Sequence, residues 1–490
     1  MGIFRTKSVE TSLEDTEAPE HRLRRSLSAL DLTVFGVGVI VGTGIFVLTG
    51  EVAKETSGPA VALSFVVAGV VCALAALCYA EFASAVPVAG SAYTFSYAAI
   101  GEFPAWIVGW DLMLEMALGA AVVAVGWSGY FAELLATMGV HLPDTLVGEH
   151  AVFNVPAVVV VAVLTAVLVA GIKLSARVNL VVVTIKVAVI LLVIVAGLFF
   201  VAKANYTPFI PPAQPTPKVG GLQAPLIQVL FGVTPVAFGV FGIFVGAAIV
   251  FFAFIGFDVV ATAAEETRNP QRDLPIGIIA SLTLCTVLYV AVSLVVVGMQ
   301  PYDRLSTEAP LATAFRSVGQ DWLATIISIG ALAGLTTVVM ILMLGQSRVF
   351  FAMSRDNLLP RSLAAVHPRF GTPYRITLII GAVTALLAGL IPLSALAELV
   401  NIGTLFAFVL VSASVMILRR TRPELPRSFR TPLVPLVPIL SMLACFYLML
   451  NLPVETWVRF LVWMVLGVVV YFGYGARHSR VAEQERAGTR

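Results

Sequence analysis

Twelve long apolar stretches alternate along the chain with short polar connections. A helix needs about 20 apolar residues, at 1.5 Å per residue, to cross the hydrocarbon core of a membrane. Hydrophobic residues make up 59% of the sequence and charged residues only 12%, which is about half the charge of a soluble domain. The pattern therefore predicts an all-α integral membrane protein with twelve transmembrane helices. The predicted spans are 29–53, 59–86, 104–137, 155–172, 178–202, 242–264, 273–299, 322–347, 376–392, 396–418, 432–451 and 460–476.

Two of the twelve spans are interrupted near the middle. The first carries four glycines in the nine residues from Gly36 to Gly44, and each glycine costs a helix about 1 kcal/mol against alanine. The sixth places Gly256 and Asp258 inside an apolar run. Close helix packing through small residues is an alternative explanation of the first span. The two interruptions together favour broken helices that line a binding site.

The interrupted spans are the first and the sixth, which suggests an internal repeat. Because five is an odd number, a second unit of five spans enters the membrane from the opposite side, as in an inverted repeat. Helices 11 and 12 then lie outside the repeat. The predicted organisation is an N-terminal tail 1–28, a first repeat 29–202, an external loop 203–241, a second repeat 242–418, a cytoplasmic loop with two further helices 419–476, and a C-terminal tail 477–490.

Lysine and arginine are distributed unevenly between the two sides of the predicted membrane. The segments on the side of the two termini carry 23 of these residues, the opposite loops carry 6, and the remaining one is Lys186 in the fifth span. By the positive-inside rule, both termini are predicted to be cytoplasmic in a multi-pass protein of the cell membrane. The net charge of +2 does not indicate a nucleic-acid partner.

The two interruptions offer backbone groups of both polarities. The amides of Gly42-Thr43-Gly44 begin a half-helix whose dipole favours an anion, and the Thr43 hydroxyl adds a donor. The unwound backbone also leaves carbonyl groups that accept a hydrogen bond from an ammonium group. Both polarities in one cavity fit the zwitterion of an amino acid. The predicted carbonyls are those of Ile40, Phe252, Ala253 and Ile255.

Ionisable residues inside the spans are functional candidates because they are costly to bury in a membrane. Lys186 is predicted to bind carbonyls freed by the first interruption, or a carboxylate, and to act in ion coupling; a purely structural role is the alternative. Glu115 follows Asp111 by four residues, so both lie on one face of the third span. Glu115 is predicted to contact substrate or to share a proton. Asp111, nearer the helix end, is expected to be solvated.

Enzymatic chemistry is not indicated by the sequence. All five histidines fall in predicted tails or loops, and neither a cluster of metal ligands nor a nucleophile–base pair is present. The spacing of Gly36, Gly38 and Gly42 superficially resembles a dinucleotide-binding fingerprint, which requires a preceding strand. We therefore expect no enzyme activity, no cofactor and no metal.

Several longer stretches resemble one known family. The first-span sequence 40–46 is similar to the signature of the amino acid–polyamine–organocation superfamily. The sixth span and the following loop, 252–258 and 264–278, resemble its cationic amino acid transporter branch, as found in bacteria. Shorter matching stretches are 77–82, 90–93 and 345–348.

The resemblance implies the leucine-transporter fold, with five plus five inverted helices, two more helices, and breaks in helices 1 and 6. It implies that the substrate carboxylate lies on the amides of Gly42, Thr43 and Gly44 and the substrate amine on carbonyls of the sixth span. It also implies that Lys186 occupies the position of a sodium ion in sodium-coupled relatives. Proton-coupled, sodium-independent transport by alternating access follows as an expectation.

The substrate side chain is left open between small neutral and cationic amino acids. Glu115 suits a cationic group, whereas Met116 and the apolar wall of Phe252 and Ile255 suit an alanine-like or branched side chain. Leu342 or Met343 is expected to close the pocket. Two alternatives remain: an amino acid or polyamine exchanger, and a receptor that binds an amino acid without transport. The expected partners are an amino acid, a proton and the lipid bilayer, with a small membrane-protein subunit left open.

Overall fold

The structure is a computed structural model that describes residues 27–85, 91–143, 145–148, 151–171, 176–215, 221–233 and 236–480. The predicted N-terminal tail lies almost entirely outside the described residues. The same holds for most of the C-terminal tail, for Gly90 of the 90–93 motif, and for 216–220 of the predicted external loop.

Helices dominate the described part of the chain. One two-stranded antiparallel sheet joins β1 (Gln214–Pro215) to β2 (Val236–Ala237). The α-helices of eight or more residues are α1 (Ala29–Ile40), α2 (Val61–Ala85), α3 (Ser91–Ala99), α4 (Glu102–Thr137), α5 (Val155–Val169), α6 (Ala176–Gly197), α7 (Gly239–Val250), α8 (Pro270–Met299), α9 (Pro310–Ser317), α10 (Asp321–Arg355), α11 (Tyr374–Leu390), α12 (Leu393–Thr421), α13 (Leu436–Leu450) and α14 (Val454–Val470).

Eight helical stretches in the described part are long and apolar enough to cross a membrane. The shorter apolar helices α1, α5, α11 and α13 lie at the positions of the other four predicted spans. All twelve predicted spans therefore contain a helix, while the count of twelve membrane crossings stays a prediction.

Several helices extend beyond their predicted apolar ends. Helix α10 continues past the predicted end at 347 to Arg355, and α14 begins at Val454 instead of 460. The hydropathy pattern ends at the first charged residue, whereas backbone hydrogen bonds continue wherever charged side chains reach water. In α14 the added turn is supported by an ion pair between Arg459 and Glu455, 3.2 Å apart and one turn from each other.

The first interruption ends α1 at Ile40. The helix starts with a capping box, in which the amide of Ser28 donates to the Asp31 carboxylate at 2.9 Å. Val41 is extended, with φ −72° and ψ 95°, and the chain becomes helical again as a π-helical turn, Gly44–Leu48. The prediction of a broken first span is confirmed.

The second interruption follows α7. The chain tightens into a 3₁₀ turn, Phe251–Phe254, becomes extended at Ile255, and resumes as a 3₁₀ helix, Val259–Glu266. Gly256 has φ +119°, a backbone conformation that residues with a Cβ atom rarely adopt. A Cβ atom at this position would lie 2.6 Å from the side chain of Val39 in α1. The sixth predicted span is therefore broken, and its break lies against the first span.

The described parts of the predicted external loop 203–241 are tied to the ends of several helices. The amide of Phe238 donates to the Thr56 carbonyl at 2.8 Å, and the hydroxyl of Tyr206 donates to the Leu294 carbonyl at 2.7 Å. Among the described residues of this loop from 226 onward, an α-helix covers Leu226–Leu230 before α7 begins at Gly239. This loop therefore fixes the segment that leads into the second interruption.

A buried ion-pair network joins α2 to the end of α12. Glu81 is 3% exposed and accepts two hydrogen bonds from the Arg419 guanidinium, at 2.8 and 2.6 Å, and one from the amide of Thr431 at 2.7 Å. The guanidinium of Arg427 lies 3.5 Å from the same carboxylate. Paired donors of this kind satisfy a carboxylate that water does not reach.

The change Glu81→Gln is expected to lower the free energy of unfolding by about 3 kcal/mol, because it leaves two arginines without their shared counter-charge. The measurement is the thermal unfolding midpoint of the purified protein in detergent. The matched control is Glu424→Gln, at an exposed carboxylate 3.7 Å from Arg422, which is expected to leave the midpoint unchanged. Equal midpoints for both variants would contradict the prediction.

Candidate functional site

The two interruptions cross each other at Gly44 and Ala253. A Cβ atom on Gly44 would lie 2.2 Å from the Cα atom of Ala253 and 2.3 Å from its Cβ. Only glycine permits such a close approach of two backbones. The crossing brings the unwound parts of both segments to one place.

A small cavity lies beside this crossing. Its volume of about 20 Å³ is room for one or two water molecules, so an amino acid enters only after the walls move. All of the predicted substrate-binding residues line it except Ala253, which contacts Gly44 at the crossing. The lining residues are Val39, Ile40, Gly42, Thr43, Gly44, Glu115, Met116, Gly119, Val123, Phe252, Ile255, Val259, Val338 and Leu342.

The lining of the cavity decides between two alternatives of the sequence analysis and adds further residues. Of the two residues expected to close the pocket, Leu342 lines the cavity and Met343 does not. The sequence analysis missed Gly119 and Val123, although both follow Glu115 at steps of four residues. That helical spacing is a signal that identifies them once Glu115 is chosen.

One hydroxyl oxygen in the cavity wall is fully buried and lacks a hydrogen-bond partner among the described residues. It is the Thr43 hydroxyl oxygen, in a residue with no exposed surface. Buried hydroxyl groups are almost always hydrogen-bonded, so an orphan of this kind suggests a ligand. The hydroxyl stands at the start of the π-helical turn, where backbone amides have no partner within the helix.

Lys186 of α6 reaches the end of α1. Its ammonium group donates to the carbonyl of Gly38 at 2.7 Å and to that of Val41 at 3.2 Å, and the side chain has no exposed surface. The first of the two predicted kinds of partner is therefore present: carbonyls at the first interruption. Gly334 of α10 makes room for the lysine, since a Cβ there would lie 2.9 Å from the Lys186 Cε atom.

Two side chains missed in the sequence analysis also hold the broken backbone. Tyr289 of α8 donates to the Ile40 carbonyl at 2.7 Å, so one lone pair of this predicted acceptor is already used. The amide group of Asn401 in α12 donates to the carbonyls of Ala248 and Ile249, at 2.8 and 3.0 Å. The signal for Asn401 was a polar amide inside an apolar span.

Asp258 closes the second interruption. Its carboxylate accepts a hydrogen bond from the amide of Gly256 at 3.2 Å. The side chain is 1% exposed, at the start of the 3₁₀ helix that follows the break. This bond ties the carboxylate to the turn before the 3₁₀ helix, and it supports a structural role for Asp258.

Of the two acidic candidates in α4, Glu115 and Asp111, one differs from expectation. Glu115 lines the cavity, next to the hydroxyl of Thr404, and its second carboxyl oxygen has no partner. The expectation of a solvated Asp111 is wrong, because this side chain has no exposed surface. Helix α12 covers it, and hydropathy along α4 alone does not reveal that contact.

Comparison with known proteins finds similarity to transport proteins. The sequence profile described as amino acid permease matches residues 27–471. The chain is 48% identical to the branched-chain amino acid permease BcaP of Bacillus subtilis, over 98% of this chain and 99% of that protein. It is 47% identical to the methylthioribose transporter of the same organism, over 97% and 98% of the two chains.

A more distant relative supports the branch suggested by the sequence motifs. The chain is 31% identical to cationic amino acid transporter 4 of Homo sapiens, over 99% of this chain and 92% of that protein. The names of these relatives, and the apolar helices, point to a multi-pass membrane transporter and not to an enzyme. The chain belongs to the amino acid permease family of the amino acid–polyamine–organocation superfamily, and it has relatives among the cationic amino acid transporters.

Proposed function

We propose that the protein is a secondary transporter that carries amino acids across the cell membrane by alternating access. The crossing of two broken segments beside a buried lysine is the observation that carries the proposal, since unwound backbone in a membrane is stable only where it lines a cavity. We also propose the leucine-transporter fold with twelve spans, an inverted repeat of five plus five helices, and cytoplasmic termini.

The backbone groups of the amino acid are proposed to bind at the crossing. The substrate carboxylate accepts from the amides of Gly42, Thr43 and Gly44 and from the Thr43 hydroxyl, whose oxygen is otherwise unpartnered. The substrate ammonium donates to carbonyls at the second break, including that of Ile255. The carbonyl oxygen of Ile40 already accepts one hydrogen bond from Tyr289, and its second lone pair is proposed to accept one from the substrate ammonium.

The substrate side chain is proposed to be apolar and small or branched. The wall facing the crossing is formed by Met116, Phe252, Ile255 and Leu342. The name of the branched-chain permease relative supports this class. Glu115 is the one carboxyl in the cavity wall, and it offers a partner to a cationic side chain, as the name of the human relative suggests.

Transport is proposed to be coupled to protons and independent of sodium. The Lys186 ammonium group holds two carbonyls of the first break, so a positive charge is already bound there. A lysine buried in a membrane interior is a group that gains and loses a proton when its surroundings change.

The decisive experiment is uptake of leucine, alanine, arginine and methylthioribose into proteoliposomes, with and without an inward proton gradient and with and without sodium. Gradient-driven accumulation of an amino acid in the absence of sodium is the expected result. Uptake only against an internal amino acid would favour the exchanger. Binding without any transport would favour the receptor, and methylthioribose uptake alone would overturn the amino acid assignment.

The change Glu115→Gln is expected to separate the two substrate classes. Arginine binding should weaken about tenfold or more, because a charge-assisted hydrogen bond is worth about 1.5 to 3 kcal/mol. Leucine affinity should stay near the wild-type value, since the apolar leucine side chain makes no hydrogen bond to the carboxylate. The measurement is competition against a labelled substrate in detergent. Equal weakening of both substrates would show that Glu115 does not discriminate between them.

A further inference from the structure

A stripe of residues on α4 leads from the cavity toward the Glu102 end of that helix. Glu115, Gly119 and Val123 recur every four residues, and all three line the cavity. Asp111 is the next member of the stripe, about 6 Å along the axis at 1.5 Å per residue. With the predicted orientation, Asp111 lies one helical turn nearer the cytoplasm than the cavity.

Asp111 is buried without a partner. The residue has no exposed surface, and neither carboxyl oxygen makes a hydrogen bond within the described part of the chain. Gly403 of α12 leaves the space that this group fills, because a Cβ there would lie 2.7 Å from the Asp111 Oδ1 atom. An ionised carboxylate without partners is far too costly in such a place, so the group carries a proton in this conformation.

The surroundings of Asp111 contain further polar atoms without partners. The hydroxyl of Tyr79 in α2 is fully buried and makes no hydrogen bond within the described residues, and it lies within electrostatic range of Asp111, Glu115 and Asp258. The side-chain carbonyl oxygen of Gln346 in α10 is also unpartnered, although its amide group donates to the Met113 carbonyl at 2.9 Å. Water molecules bind to buried polar atoms that lack a partner once a site opens enough to admit them.

The titratable groups facing this region come from several elements. Glu115 belongs to α4, Tyr79 to α2, and Asp258 to the second interruption. Helix α12 contributes Gly403 and Thr404, and α10 contributes Gln346, none of which titrates. From α3, Tyr93 packs near Gly109, two residues before Asp111, and donates to Asp356 at 2.8 Å. The Cys445 thiol of α13 lies within electrostatic range of Tyr79, and none of the groups named here is basic.

We propose that Asp111 is a second proton-carrying carboxyl of the transport cycle, which passes the proton between Glu115 at the cavity and water on the cytoplasmic side. Asp111 first releases its proton to water that enters among the orphaned polar atoms. The O–H bond on Glu115 then breaks as a new one forms on Asp111, directly or through one water. The inference rests on the proposed proton coupling. It adds Glu115 to Lys186 as a group that carries a proton, and it gives the route by which that proton leaves the cavity.

The test is Asp111→Asn in the full chain, reconstituted into liposomes. Two kinds of transport are compared for the same substrate: counterflow at equal pH on both sides, and accumulation driven by an inward proton gradient, with a pH-sensitive dye inside. Counterflow should stay near wild type, whereas accumulation and dye response should fall about tenfold or more. The matched control is Asp303→Asn, at an exposed carboxyl outside the helical core, which should behave as wild type.

Each other outcome has a distinct meaning. Wild-type protein without gradient-driven accumulation overturns the proposed coupling and, with it, this inference. If the wild type and Asp111→Asn accumulate substrate equally in response to the proton gradient, the inference is overturned and the proposed coupling stands. A lowered unfolding midpoint together with lost counterflow shows a structural carboxyl, because a group without partners should lose no stability on this isosteric change. Selective loss of arginine counterflow shows a substrate contact instead.

Discussion

Lys186→Met is expected to reduce substrate accumulation by about 100-fold or more, the largest effect of any single change outside the crossing. The ammonium group makes two charge-assisted hydrogen bonds to Gly38 and Val41, and each is worth about 1.5 to 3 kcal/mol. Methionine fills similar space but donates nothing, so two carbonyls remain unsatisfied in the membrane interior. The break in α1 is then no longer held in position for the substrate.

The measurement is gradient-driven uptake into proteoliposomes, together with substrate affinity in detergent. Lys203→Met, at an exposed lysine in the external loop, is the matched control and should transport normally. Gly334→Ala provides an independent variant, because the added methyl group would lie 2.9 Å from the Lys186 Cε atom and push the side chain from its place. Normal accumulation in Lys186→Met would exclude this lysine from coupling.

The two variants also separate charge from position. Lys186→Met removes the charge, while Gly334→Ala keeps it and displaces it. A loss of accumulation in both variants means that the ammonium group must lie on the Gly38 and Val41 carbonyls, and not merely somewhere in α6.

Much of the site could be predicted because its chemistry conflicts with its surroundings. Glycines that weaken a helix, and a lysine and a carboxylate inside apolar spans, are costly unless they serve a function. Gly44, Lys186 and Glu115 were recognised for this reason. The structure brings Gly44 and Glu115 to one cavity and places Lys186 on the adjoining break of α1.

The remainder depended on contacts between distant segments. Tyr289 resembles any aromatic residue of an apolar span until its hydroxyl is seen on the Ile40 carbonyl. Asp111 lies toward the predicted end of its span, which favours contact with water, and only the position of Gly403 shows that it is covered. Helix ends were misplaced because hydropathy stops at charges such as Arg348, while the backbone hydrogen bonds of α10 continue.

Gly44→Ala is expected to abolish substrate binding and to lower the unfolding midpoint. The new methyl group would lie 2.2 Å from the Ala253 Cα atom, far inside the contact distance of about 3.5 to 4 Å between carbon atoms. A backbone atom cannot rotate away as a side chain does, so the two broken segments must separate. Overpacking of this kind costs about 1 to 3 kcal/mol or more, and the separation also removes the geometry of the site.

Gly42→Ala is the matched control for stability, two residues away in the same break. Its methyl group would meet the Val338 side chain at 3.6 Å, an ordinary contact, so the unfolding midpoint should stay at the wild-type value. The second-site change Ala253→Gly should not rescue Gly44→Ala, because the nearest atom is Cα and not Cβ. If it did rescue binding fully, or if Gly44→Ala bound substrate normally, the two breaks would not be in backbone contact. The amides of the first break and the carbonyls of the second would then be too far apart to hold one zwitterion.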